Sequence, residues 1–323
     1  LLLIPVIAHA QVTSFTDTTF SQEYHIAYPL PGDSQEAAVR SITADQDDNI
    51  WIATKYGILV RKHASTNWVA PMQNDNSGPA YAVTTHSNGD VFMGTWNGLY
   101  RNTNKGAQLI AGTEGPIAAI CSASEGIYAA GPKGIWFWDG RSCSKLYYPV
   151  ARSVRKIISD QQKGIWVGTD VGLYHCTPKG MQQFVDTSYL TSAYVKGLSL
   201  DHLGQVWTGG LGGISILANG RRNRQIQPAD GLPSRFVNCI SRSANGTMWI
   251  GTEMGLVRFT QNGTHSLLFS RRWLLDDQVN DIAFDAAGNA WVATAKGVSA
   301  IMKSAMTLSA KQDYFYDILM KRH

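Results

Sequence analysis

The phrase Ile50-Trp51-Ile52-Ala53-Thr54-Lys55-Tyr56-Gly57-Ile58 returns through the chain in recognisable copies. It recurs as Trp166-Val-Gly-Thr-Asp-Val-Gly-Leu173 and Trp249-Ile-Gly-Thr-Glu-Met-Gly-Leu256, and more loosely from Phe92, Tyr128, Trp207 and Trp291. The seven anchors are separated by 41, 36, 38, 41, 42 and 42 residues. A period of about 40 residues belongs to solenoids, propellers and arrays, because one such unit cannot bury its apolar surface alone.

Each repeat has one grammar. An apolar or alternating run comes first, as in Val39-Arg-Ser-Ile42, Val237-Asn-Cys-Ile240 or Ile282-Ala-Phe284. A polar turn follows, such as Asp45-Gln-Asp-Asp-Asn49 or Asp285-Ala-Ala-Gly-Asn289. Gly and Asn tolerate positive φ there, and Asp can accept bonds from the turn amides. Then come the aromatic-led strand, a two-residue turn closed by Gly, a third strand and a less regular fourth. The sequence therefore predicts an all-β, seven-bladed propeller of four-stranded antiparallel blades. Each Trp alternates with a small residue two positions on, such as Trp51/Ala53 or Trp249/Gly251, so both face one side of the sheet. A large ring beside a small residue lets adjacent sheets interdigitate.

The seventh repeat lacks a convincing fourth strand after Gly297–Met302. The alternating stretch 20–28 supplies it, so these residues should pair with residues 297–302 and close the ring. The domain plan is then a propeller over 11–303, with repeats at about 38–303, and a linker or the start of a further domain at 304–323. In that tail Tyr314, Ile318 and Leu319 share one helical face.

Residues 1–10 are apolar and end Ala8-His9-Ala10, resembling the apolar region and cleavage site of a secretory signal. The expectation is an exported chain, periplasmic or cell-surface, with no membrane span in this stretch. Charged residues make up 16% and net charge is +4. Only Arg221, Arg222 and Arg224 cluster, which is too little for a nucleic-acid face. The four cysteines have no zinc-type spacing, and Cys121 and Cys239 read as small buried hydrophobes. Asp45, Asp47 and Asp48 read as turn chemistry rather than a calcium site. No nucleotide or cofactor motif is present, and neither a catalytic residue nor a metal ligand is assigned.

The phrase Gly-x-x-Trp-Ile-Gly-Thr-x-x-Gly-Leu resembles the two-component regulator propeller repeat. The match is best from Gly246 to Leu256 and from Gly164 to Leu173, with Asp230-Gly-Leu-Pro-Ser234 similar to the family's lead-in. The resemblance covers about 38–303 and implies the extracytoplasmic sensor propeller of a hybrid histidine kinase from gut-type Bacteroidota. In full-length sensors of that family a sandwich domain, a membrane helix and a kinase follow, so a downstream domain beyond His323 is an expected partner. The same repeats also occur in exported proteins tied to polysaccharide degradation. The motif residues are scaffold, so they carry no catalytic role across.

Function is expected on the rim that bears the variable turns and the connections between repeats. The candidate ligand-binding residues are Tyr56, Trp96, Lys133, Asp170, Tyr194, Arg235, Glu253 and Trp273. Aromatic faces beside charged donors and acceptors suit an oligosaccharide or another small ligand. Trp96 stands out, because a Trp in a turn has little structural reason to be there. Asp170 and Glu253 would be the carboxylates of a glycoside hydrolase or lyase. The readings are a ligand-sensing propeller, an enzyme or enzyme accessory, and a protein-interaction platform.

Overall fold

The structure is a computed structural model. It describes residues 16–31, 38–71, 78–103, 106–147, 153–160, 162, 164–177, 180–184, 187–260, 263, 265–270 and 272–320. The signal-like segment 1–10 lies outside the described residues.

Residues 25–301 form one compact unit. Seven four-stranded sheets are present, each a consecutive antiparallel meander apart from the last. Blade 1 runs through Val39–Ala44, Ile50–Thr54, Gly57–Arg61 and Trp68–Val69. In the seventh sheet Phe20–Pro29 lies beside Gly297–Met306, followed by Ala290–Thr294 and Val279–Phe284. The N-terminal strand therefore closes the ring, as the missing fourth strand requires. Tyr28 rests against Trp291 with ring centroids 5.3 Å apart, and buried Arg61 of blade 1 stacks over both rings at 4.9 and 4.6 Å. A guanidinium between two aromatic faces ties first blade to last.

The core lies between blades. One cluster joins Trp51, Ile58 and Val60 of blade 1 to Val83, Val91 and Met93 of blade 2. Another joins Ile214, Ile216 and Ile226 of blade 5 to Val237, Ile240 and Ile250 of blade 6. Each such buried side chain contributes about 1.5–3 kcal/mol relative to exposure. The small residue after each anchor admits the neighbour's innermost strand. A Cβ on Gly251 would stand 2.4 Å from Val279 Cγ1, and one on Gly168 would stand 2.8 Å from Val195 Cγ1.

The polar turns hold the anchors in place. Asp45 Oδ2 accepts the Trp51 indole N–H at 2.7 Å, and Asp201 and Asp285 accept those of Trp207 and Trp291 at 3.0 Å. Asp45 also accepts the amides of Asp47 and Asn49, which makes this acid-rich turn a hydrogen-bonded cap. In blade 4 the Asp160 carboxylate instead meets His175 Nε2 at 2.8 Å, and that imidazole stacks on Trp166.

A second compact unit comprises residues 1–24 and 302–323. Among its described residues, Leu308–Met320 is a helix whose first amides, on Leu308 and Ser309, donate to the Asp17 carboxylate at 2.7 and 2.9 Å. Tyr314 packs edge-on against Tyr24 within that unit. Tyr314, Ile318 and Leu319, read from sequence at helical spacing, fall within this helix, while residues 304–306 continue the preceding strand.

Candidate functional site

In five blades the variable turn is positioned by the Thr that ends the aromatic-led strand; Gly131 and Gly210 take its place in blades 3 and 5. Thr252 Oγ1 donates to Gly255 O at 2.8 Å and accepts the Met254 amide at 3.1 Å. Thr54, Thr169 and Thr294 repeat this pair of bonds. The first turn residue is then tied inward: Trp96 N donates to Pro79 O, Asp170 N to Ser153 O and Glu253 N to Phe236 O. Each acceptor directly precedes an innermost strand, so these turns stand on the rim where those strands begin.

At that rim the central channel opens. It has a volume of about 410 Å³ and is lined by the innermost strands of six blades and by Lys196, directly before the innermost strand of blade 5. Five innermost strands break register at the same place, between Val39 and Ser41, Ala80 and Ala82, Val154 and Lys156, Val237 and Cys239, and Val279 and Asp281. A bulge leaves its extra residue outside the ladder and re-aims its side chain. The bulged residues are Arg40, Tyr81, Arg155, Asn238 and Asn280, and all of them line the channel. Ala118 and Lys196 occupy the corresponding positions in blades 3 and 5.

Several of these residues bridge blades. Arg40 Nη1 donates to Ala80 O at 3.1 Å, Asn238 Nδ2 to Val279 O at 2.9 Å and Asn280 Nδ2 to Val39 O at 2.9 Å. Lys196 Nζ donates to Asn238 Oδ1 at 2.8 Å, and the Arg155 guanidinium lies 5.0 Å over the Tyr194 ring. Burial pulls the Lys196 ammonium below its usual pKa, with the Arg155 charge acting in the same direction and Glu253 opposing it.

One residue deeper, Lys156 Nζ reaches across from blade 4 to Asp281 Oδ1 of blade 7 at 3.4 Å. Asp281 Oδ2 also accepts Ser41 Oγ at 2.9 Å and the Ile42 amide at 3.2 Å. The Asp281 charge raises the Lys156 pKa against desolvation. Beside this pair Cys239 is buried, and desolvation pushes its thiol up to about 12. All four thiols are unpaired, and burial raises those of Cys121 and Cys239 alike, as expected of small buried hydrophobes. Among the described residues no group of His, Cys, Asp and Glu is arranged to hold a metal ion.

The eight rim residues divide by setting. Tyr56 and Trp96 are 65% and 55% exposed, in adjacent blades. Lys133, Arg235 and Glu253 are also exposed, though Lys133 Nζ is engaged by Glu114 O at 3.0 Å and Arg235 lies over Phe236. Tyr194 is half-buried under Arg155. Trp273 is half-buried against the cluster between blades 6 and 7, with Arg272 over its ring. Asp170 is half-buried, and its Oδ1 has no hydrogen-bond partner. Asp170 and Glu253 stand in blades 4 and 6, with blade 5 between them. Sequence reasoning found the turns and missed the mouth, where Arg40, Arg155, Lys156, Lys196 and Asp281 line the channel. The signal was available: Arg40, Arg155 and Lys196 bring charge to the same repeat position, at the start of the innermost run.

Residues 231–254 match the family model for the two component regulator propeller, so the chain carries that repeat. No curated protein matches the chain in sequence. Among solved structures it is similar to a streptogramin B lyase, with TM-score 0.71 and 14% identity over 89% of this chain and 98% of that one. It is also similar to the extracellular domain of a putative one component system from B. thetaiotaomicron, with TM-score 0.70 and 17% identity over 86% of this chain. The match spans 39% of that longer protein. The WD40 β-propeller domain of Doa1 gives TM-score 0.69 and 15% identity, over 88% and 97% of the two chains. These likenesses show the fold, which serves unrelated functions.

Proposed function

We propose that the chain is an exported ligand-sensing propeller that binds a carbohydrate-type ligand at the rim of the variable turns. The observation that carries this reading is the exposure of Tyr56 and Trp96 in neighbouring blades, on the rim where the channel opens. Flat apolar rings beside a polar mouth complement a sugar, which has one apolar face and a margin of hydroxyls. The regulator repeat at 231–254 and the likeness to an extracellular domain of a putative one component system support the sensing role. In this reading the bound state is passed to a domain beyond His323. A glycan array probed with the chain and with Trp96→Ala tests it. Binding to an oligosaccharide class that the variant weakens at least tenfold is the expected result. No binding to any oligosaccharide, or equal binding by the variant, would contradict it.

A second reading, an enzyme propeller, draws on Asp170, whose Oδ1 lacks a hydrogen-bond partner on the same rim. Turnover of a polysaccharide that Asp170→Asn abolishes would favour it over sensing.

A further inference from the structure

We propose that the channel mouth is an anion site, and that the ligand presents a carboxylate or phosphate to Arg40, Arg155 and Lys196. This inference rests on the reading that the ligand docks on this rim, and it adds the chemical class of the group that enters the mouth.

Three observations carry it. Among the described residues, none of the three cations makes an ion pair: Arg40 donates to a backbone carbonyl, Lys196 to an amide oxygen, and Arg155 stacks on an aromatic ring. The carboxylate deeper in the channel is already committed, since Asp281 is held by Lys156, Ser41 and the Ile42 amide. That pair is neutral overall and leaves the mouth positive. Finally, Arg40 and Arg155 are bulged residues, set out of the strand ladder in blades 1 and 4, and Lys196 holds the corresponding position in blade 5. The bulges aim these charges at one opening instead of spreading them over the surface.

The physics favours an occupant. A cleft lined by one sign of charge, with low-dielectric walls, focuses its field and raises the local concentration of counter-ions. Guanidinium groups bind carboxylate and phosphate through paired N–H donors, and an ammonium adds a compact point charge. Arg155 depresses the charged form of Lys196, and an anion between them would relieve that repulsion. Glu253 is exposed on the same rim, and its field reaches Lys196. It therefore opposes an incoming anion, which gives the test a variant of opposite sign.

The test is calorimetric titration of the whole chain with sodium citrate, with inorganic pyrophosphate and with the neutral trisaccharide raffinose, at low and at physiological ionic strength. Citrate or pyrophosphate is expected to bind, more weakly as salt rises, and the tighter of the two identifies carboxylate or phosphate as the natural group. Arg155→Gln and Lys196→Met should each weaken that binding about tenfold, and Glu253→Gln should strengthen it, with urea-unfolding midpoints confirming that the variants fold. Absence of binding by both anions, or anion binding indifferent to these substitutions, overturns the proposal. Neutral-sugar binding that needs Trp96 and ignores the three cations would also overturn it, while leaving the rim reading intact. Anion binding that needs the cations in a chain that binds no array glycan would uphold it and overturn the carbohydrate reading instead.

Discussion

Each blade reaches solvent at two rims, and the two are built in opposite ways. On one rim the polar turn is nearly the same in blades 1, 5 and 7: an aspartate accepts turn amides and the indole N–H six residues on. On the other rim a Thr fixes the turn in five blades, with Gly131 and Gly210 in its place in blades 3 and 5, and the two side chains presented differ from blade to blade. One rim spends its side chains on holding the anchors. The other holds its backbone, in five blades, with a buried Thr hydroxyl and lets its turn side chains vary, which is the division expected of a scaffold that displays a variable surface.

Asp201 separates the roles of the two rims most sharply. Its carboxylate accepts the Leu203 and Gln205 amides, Gln205 Nε2 and Trp207 Nε1, all at 2.9–3.0 Å. Asp201→Ala strands these donors and should cost about 3 kcal/mol, read as a lower urea midpoint, with ligand affinity unchanged. A loss of affinity without a loss of stability would place function on the wrong rim. A smaller effect is expected at Thr252, where the two rims' logics meet. Thr252→Val removes both bonds to the 253–255 turn and should cost about 1–2 kcal/mol, while also weakening ligand binding through the loosened turn. Stability loss alone would mean that this turn takes no part in binding.

The smallest effect concerns the Lys156–Asp281 pair that spans the channel. The Lys156 pKa is raised in the folded chain. Its contribution is therefore complete below the ordinary lysine value of about 10.4 and is lost as pH climbs through the raised folded value. The stability gap between the wild-type chain and Lys156→Met should be constant from about pH 6 to 9 and narrow above about 10.4. The Lys156 side chain is 33% exposed, so the gap is modest. A gap that widens with alkali would mean that Asp281 does not hold this ammonium.

The repeat made the fold legible because its period, its Trp and small-residue alternation and its turn residues all state one architecture. The closing strand was legible from what the seventh repeat lacked. The variable pairs were legible as turns, and exposure at Tyr56 and Trp96 followed from their place in those turns. Trp273 shows the limit. A loop position did not reveal that its ring would pack against the cluster between blades 6 and 7. The channel mouth was hidden for a different reason. A bulge flips one residue out of the alternation, so Arg40 and Arg155 look like outward positions of an ordinary strand until seven strands are gathered around one axis. Contacts such as Lys156 to Asp281, 125 residues apart, arise only from ring closure.

The proposed division assigns ligand binding to the rim of variable turns and not to the rim of aspartate turns. Amide hydrogen exchange with the best oligosaccharide from the array tests it most directly. Added protection is expected at 55–56, 96–97, 170–171 and 253–254, with none at 45–49, 201–205 or 285–289. Protection confined to the aspartate turns would contradict it.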